Sequence, residues 1–272
     1  MWSPDGRRLV FVKTVGEASH LYIVSADGTG LRRLTRPPGS HAHPAWSWDG
    51  RIAFVGTHGG TSQIYVVEAA RGQPRQLTAE PWFSTAPVWS PDGRQIAFVS
   101  QRDHPQPELY LMRSDGSDQR RLTTGGVLLR PGVLHPAWSP DGRQIAFVAR
   151  VGRAEQEISL INADGTGRRR FSTGYAPAWS PDGRRITFVV ARVGDAQIYA
   201  ADVEGGDPTP LTPGGINLLP AWSPDGRRIA FLSSRNGDLA LWVMQADGSD
   251  PRRLAPAAGD LSALPVAAWK PR

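Results

Sequence analysis

Ala178-Trp179-Ser180-Pro181-Asp182-Gly183-Arg184-Arg185-Ile186-Thr187-Phe188-Val189 is the stretch whose reading decides the fold. Its middle, Ser-Pro-Asp-Gly, is a hairpin turn. Proline presets φ at the second turn position, aspartate bonds back to nearby amides, and glycine accepts the positive φ that follows. A short strand leads into the turn and ends at the tryptophan. A second strand leaves it, and in three copies this reads Ile-Ala-Phe-Val, with Ile and Phe on one face and Ala and Val on the other. Apolar residues on both faces mark a sheet sandwiched between two neighbours.

Copies of the stretch recur at Trp2, Trp46, Trp89, Trp138, Trp179 and Trp222, with a degraded one at Trp269. The spacings are 44, 43, 49, 41, 43 and 47 residues. A period in the forties with four strand-like runs per unit predicts an all-β, six-bladed β-propeller with four antiparallel strands per blade. In the fourth unit those runs are residues 135–139, 144–149, 157–162 and 168–172. The third strand recurs as Leu21-Tyr22-Ile23-Val24, Gln63-Ile64-Tyr65-Val66, Glu108-Leu109-Tyr110-Leu111 and Gln197-Ile198-Tyr199-Ala200. The fourth is read as ending in Leu-Thr, at Leu34-Thr35, Leu77-Thr78, Leu122-Thr123 and Leu211-Thr212. The copy Trp46-Ser47-Trp48-Asp49-Gly50-Arg51-Ile52 is one residue short, with Trp48 in the proline's place. Losing one residue flips every following side chain unless the turn absorbs the loss, so a tighter loop is expected there.

The repeat fills all 272 residues, which predicts a single domain over 1–272. The 30 Gly and 24 Pro suit a turn-rich protein, and no apolar run reaches the length of a membrane span. The absence of cysteine excludes disulfides and thiolate metal sites. No signal peptide is visible, because Met1 runs straight into a repeat. The net charge of +6 is carried by arginine, the only lysines being Lys13 and Lys270. Arginines recur in register after the turn (Arg7-Arg8, Arg184-Arg185, Arg227-Arg228) and before the outer strand (Arg32-Arg33, Arg120-Arg121, Arg252-Arg253). Repetition spreads them around a ring, so a solvated, distributed basic surface is expected instead of a nucleic-acid groove.

The repeated Pro-x-Trp-Ser-Pro-Asp-Gly-x-x-Ile-Ala-Phe, the Ile-Tyr strand and the Leu-Thr ending resemble the TolB-type propeller family over essentially the whole chain. The resemblance implies a six-bladed propeller, a protein partner, and a bacterial, periplasmic setting. TolB-type proteins place an α/β domain ahead of the propeller and work with a peptidoglycan-associated lipoprotein; 272 residues leave no room for that domain. Similar propellers serve as gating domains of prolyl-oligopeptidase-like enzymes and, with more blades, as oligogalacturonate lyases.

The search for chemistry is mostly negative. No Gly-x-Ser-x-Gly elbow, phosphate loop, His-Glu-x-x-His or complete Gly-x-Gly-x-x-Gly occurs. Asp27-Gly28-Thr29-Gly30 and Asp164-Gly165-Thr166-Gly167 read as turns. Asp115 with Asp118, and Asp247 with Asp250, lack the alternating ligands of a calcium loop. No catalytic residue, metal or cofactor is expected. His43 and His135 share one repeat position, just before Pro-Ala-Trp, where the inner strand begins beside the expected channel. They read either as polar hooks for a ligand or as caps of their own loops. The equivalent Ala86, Ala176 and Leu219 offer no third metal ligand, although His41 is close.

Sorting the loops by end of the blade is more informative. Turns joining strands one to two and three to four emerge at one end and are stereotyped. Loops from strand two to three, and from blade to blade, emerge at the other end and vary. Several of these are apolar: Pro81-Trp82-Phe83, Val127-Leu128-Leu129, Val133-Leu134, Tyr175, Ile216 and Leu218-Leu219, rimmed by Arg102, His104 and Arg130. Such residues either form a partner surface or fold inward and plug the channel mouth. The expected function is a non-catalytic binding module, monomeric and not membrane-inserted. It takes a protein or peptide through Trp82, Phe83, Leu128, Leu129 and Tyr175, with His43 and His135. The alternatives are the propeller of an enzyme, lyase-like or gating a hydrolase, and a truncated or engineered repeat protein. Only Met1 precedes Trp2, so residues 265–269 are expected to supply the first blade's inner strand beside residues 8–12.

Overall fold

The computed structural model describes residues 1–36, 38–70, 72–79, 81–103, 105–127, 136–151 and 155–256. The chain is an all-β, six-bladed β-propeller, with six antiparallel sheets following one another along the sequence. It divides into two compact units, Met1–Val127 with the first three sheets and Leu128–Trp269 with the last three. The third sheet is representative, with strands Ser84–Trp89, Gln95–Ser100, Glu108–Arg113 and Arg120–Arg121 in sequential order. Its second strand is buried on both faces, Ile96, Ala97 and Phe98 all being 0% exposed.

The Ser-Pro-Asp-Gly turn is held as its residues dictate. Ser90 Oγ donates to Asp92 Oδ1 (2.6 Å) and accepts the Gln95 N–H (2.9 Å), while Asp92 accepts the Arg94 N–H (3.0 Å). The same set recurs at Ser3, Ser180 and Ser223. In the shortened copy Ser47 Oγ still accepts the N–H of Arg51 (2.9 Å), and Trp46 pairs with Ile52 as Trp89 pairs with Ile96. The turn absorbs the missing residue and the register survives. Trp48, in the proline's place, is left 68% exposed.

Four motif tryptophans each fasten a blade to the one before it in the same unit. Trp89 Nε1–H donates to the Ala45 carbonyl at 3.0 Å, Trp46 to Met1 at 3.2 Å and Trp179 to Ala137 at 3.0 Å. Trp222 donates to Thr187 Oγ1 (3.0 Å), which donates in turn to Ala178 O (3.2 Å). Thr187 stands where other copies carry alanine, so its hydroxyl relays the same tie.

One expectation is corrected, and two findings add to the reading. The outer strands stop before Leu-Thr, for instance at Arg75–Gln76. Leu77 N–H still reaches Ile64 O (2.8 Å), but the next group to meet the third strand is a side chain, Thr78 Oγ1 accepting the Ile64 N–H at 2.9 Å. Second, Trp2 makes an isolated bridge to Leu9 beside the first sheet, and Met1 O accepts the Val10 N–H (2.9 Å). Residues 265–269 lie outside the described residues.

Third, the arginines in register do more than coat the surface. Arg8, Arg51 and Arg185 stack on Trp46, Trp89 and Trp222 of the following blade, with guanidinium carbons 5.4, 4.6 and 5.0 Å from the ring centroids. Arg32, Arg75 and Arg169 donate to carbonyls of Ala69, Asp115 (2.7 Å) and Val203 (2.8 Å) on the next blade. Period-locked arginine is mortar between repeats: one set lays its guanidinium on the next blade's tryptophan and the other donates to the next blade's carbonyls.

Candidate partner-binding site

The variable end of the blades is built on two repeated devices. One is a bulge in the inner strand. Register shifts between Ala42 and Ala45, Thr85 and Val88, Tyr175 and Ala178, and Leu218 and Ala221. The residue before each proline is left-handed, His43 at φ 51°, Ala86 at 52°, Ala176 at 51° and Leu219 at 52°. A non-glycine residue held there costs energy and re-aims the strand. The conformation belongs to the repeat, since Ala and Leu share it with His43. His43 is half-buried, and burial holds its imidazole pKa below the ordinary value.

The other device is a clasp at the start of the third strand. A buried polar residue lies fifteen positions before the threonine: His20 before Thr35, Gln63 before Thr78, Glu108 before Thr123, Gln197 before Thr212. The hydroxyls of Thr78, Thr123 and Thr212 donate to Gln63 Oε1 (2.6 Å), Glu108 Oε2 (2.6 Å) and Gln197 Oε1 (2.7 Å). The partner's free end then positions the inter-blade loop. Gln63 Nε2 donates to Trp82 O at 2.6 Å and Gln197 Nε2 to Gly215 O at 3.0 Å, whereas Glu108 Oε1 accepts the Gly126 N–H at 2.8 Å. Amide or carboxylate is chosen by what the loop presents: a carbonyl needs a donor, an N–H an acceptor.

In the first blade His20 holds this place, and its Nδ1 lies 3.2 Å from Nδ1 of His41, whose ring packs edge-on against Phe54. One Nδ1 must donate and the other accept, so the two rings cannot both be charged while this bond is made. Burial, then the neighbouring His20 and Arg33, push His41 down to about 4. A histidine whose folded pKa is depressed contributes stability that is complete above about pH 6.5 and lost as pH falls toward 4. With part of the effect lost to solvent and relaxation, a loss on the order of 2 kcal/mol is expected across that window. Chemical denaturation at pH 7.0 and 4.5 checks this, and His41→Asn should flatten the difference. An equal slope in both proteins contradicts it.

Clasped by Gln63, the loop from the second to the third blade sets Trp82 half-exposed, at 50%, with Phe83 partly buried behind it. Trp82 lines a surface pocket of about 440 Å³ with Leu77, Ala79, Arg102, Asp103 and Gln119. The Arg102 guanidinium lies over the rings of Phe98 and Tyr110, 5.2 Å from each centroid. It donates to Gln119 Oε1 and, at 3.4 Å each, to Ser100 and Ser84 Oγ. Burial holds its pKa below the ordinary arginine value. Tyr110 OH donates to Asp103 Oδ2 (3.0 Å), and burial followed by that bond pushes Tyr110 up to about 12.

Of the residues expected to form a site, Trp82 and Phe83 therefore share this corner. Tyr175 lies in the second unit, half-buried against the core around Ile198 and Trp222. Val127 is buried, its N–H bonded to Pro107 O at 2.7 Å, so this loop residue folds inward. Leu128, Leu129, Arg130, His135 and His104 lie outside the described residues. Missed from sequence were the His20–His41 pair and the stacked Arg102; the constant spacing of fifteen to threonine was the available signal for the first.

A family model, the TolB beta propeller domain, matches residues 1–81, 39–175 and 130–267. The chain belongs to that family. Over 46 residues it is 41% identical to the Tol-Pal system protein TolB of Anaeromyxobacter dehalogenans strain 2CP-C, covering 17% of this chain and 11% of that protein. Over 50 residues it is 48% identical to the uncharacterized peptidase YuxL of Bacillus subtilis strain 168, covering 18% of this chain and 8% of that protein. The fold is similar to the crystal structure of TolB from Acinetobacter baumannii, with a TM-score of 0.72 at 22% identity, covering 94% of this chain and 65% of that one. The match spans less than two thirds of the length of each of these three proteins.

Proposed function

We propose that this propeller is a non-catalytic binding module that takes a protein or peptide partner on its variable loops, with Trp82 as the anchor. The observation that carries this reading is the half-exposed Trp82 on a pocket whose other wall is the stacked Arg102. Tryptophan and arginine are typical anchors of protein interfaces, and Gln63 holds the anchor's backbone in place before any partner arrives. Phe83, Tyr175 and His43 extend the same end of their blades, as do Leu128, Leu129 and His135 by sequence position. The similarity to TolB supports a protein partner and a bacterial, periplasmic setting.

The similarity to YuxL favours a second reading, the propeller of a peptidase in which the same loops face an enzyme domain. Peptides selected from a random library against the whole chain test the first. Replacing Trp82 with Ala should weaken them by about 2 kcal/mol or more, roughly thirtyfold, with the melting temperature unchanged. Selected peptides that bind Trp82→Ala as tightly as the parent would remove this corner from the site.

A further inference from the structure

We infer that the Trp82 pocket recognises a carboxylate set beside an apolar side chain, supplied by an Asp or Glu residue or by a peptide's C-terminus. This rests on the partner-binding reading above and names its chemistry. Arg102 is the reason. Its hydrogen-bond partners are neutral, namely Ser84, Ser100 and Gln119, two of the three bonds are long at 3.4 Å, and the Asp103 carboxylate acts on it only through space. Other arginines of the chain meet carboxylates in water. Arg94 and Arg143 each face the aspartate of their own turn with side chains 86% exposed. Arg102 is instead half-buried and laid on Phe98 and Tyr110, and no salt bridge to it occurs among the described residues. A partly desolvated guanidinium whose hydrogen bonds are to neutral groups gains from an anion, and its planar fork matches a carboxylate.

The rest of the pocket narrows the choice. Arg102 is the one cation among the described lining residues and Asp103 is a lining anion, so a dianionic phosphate or a nucleic-acid backbone would meet more repulsion than one guanidinium offsets, whereas a singly charged carboxylate is repelled less. Asp103 is exposed and tied by one oxygen to Tyr110, so its other oxygen can accept an N–H of a bound peptide. Trp82, with Leu77 and Ala79, offers the apolar floor for the adjoining side chain.

The test uses the whole chain and a random peptide library with free C-termini. Selected sequences should share an acidic residue, or the terminal carboxylate, next to an apolar residue. Changing that Asp to Asn, or amidating the C-terminus, should weaken binding at least about tenfold, and the two changes tell the two sources apart. Arg102→Gln should weaken the acidic peptide by a similar factor and leave its neutral analogue unaffected, as a coupled pair requires. Neutral analogues that bind the parent as tightly as the acids, or an acidic peptide indifferent to Arg102→Gln, would overturn the inference. In either case, dependence on Trp82 would still uphold the binding site, so the two failures are distinct. Should Arg102→Gln fail to fold, the peptide-side changes decide the matter on the unmodified protein.

Discussion

Trp89→Ala is expected to cost about 3–5 kcal/mol and to lower the melting temperature by roughly 6–20 °C. The indole is 8% exposed and lies among Ala53, Val55, Ile64 and Ile96. Truncation opens a cavity in that cluster, removes the donor to Ala45 O and exposes the face beneath Arg51. Trp89→Phe keeps most of the volume and loses the donor, so it should cost about 1–2 kcal/mol. Trp48→Ala, 68% exposed on a turn, should change stability by less than about 0.5 kcal/mol. Thermal melts of the three variants give the comparison. A Trp89→Ala protein as stable as Trp48→Ala would mean that the motif tryptophan does not hold the blades together.

Thr123→Val should cost about 2–4 kcal/mol although it preserves shape. The lost hydroxyl serves two buried groups at once. It accepts the Leu109 N–H at 2.9 Å and donates to Glu108 Oε2 at 2.6 Å. Both lose a partner in a site where water does not replace it. Glu108→Gln separates the two roles. Two donors, Thr123 Oγ1–H and Gly126 N–H, converge on the carboxylate, and an amide can accept only on one side. That variant should cost about 1–2 kcal/mol, with faster amide exchange at Gly126 as the local signature. The reciprocal Gln63→Glu sets a carboxylate against the Trp82 carbonyl and should loosen the loop that carries the anchor. Chemical denaturation measures the first two. Equal stability of Thr123→Val and the parent would show that the clasp contributes nothing.

The blade itself was legible because its determinants are local. Proline, aspartate and glycine at fixed offsets define the turn, and alternation of Ile and Phe with Ala and Val defines a strand buried on both sides. What escaped is what one copy does to the next. The Trp89 indole bonds a carbonyl 44 residues away and Arg51 covers Trp89 from 38 residues before it, so neither contact exists within a single repeat. Read singly, Arg8 and Arg185 look like surface charge; their neighbours turn them into lids on Trp46 and Trp222. The polar side of the site was half visible. The interval from Gln63 to Thr78 repeats from Glu108 to Thr123, but which end of the side chain the loop would meet depends on backbone that residue types do not encode. Trp82 and Phe83 were recognisable as apolar residues in a variable loop, whereas Arg102 disclosed its role only once Phe98 and Tyr110 were seen beneath it.

The most direct measurement follows the indole N–H resonances of the chain's ten tryptophans while a selected peptide is titrated in. Binding on the variable loops predicts that the Trp82 signal moves and saturates with the peptide. Trp46, Trp89, Trp179 and Trp222, whose indoles are bonded between blades, should stay in place. A shift confined to Trp48, on the turns at the opposite end of its blade, with Trp82 unmoved, would contradict the account.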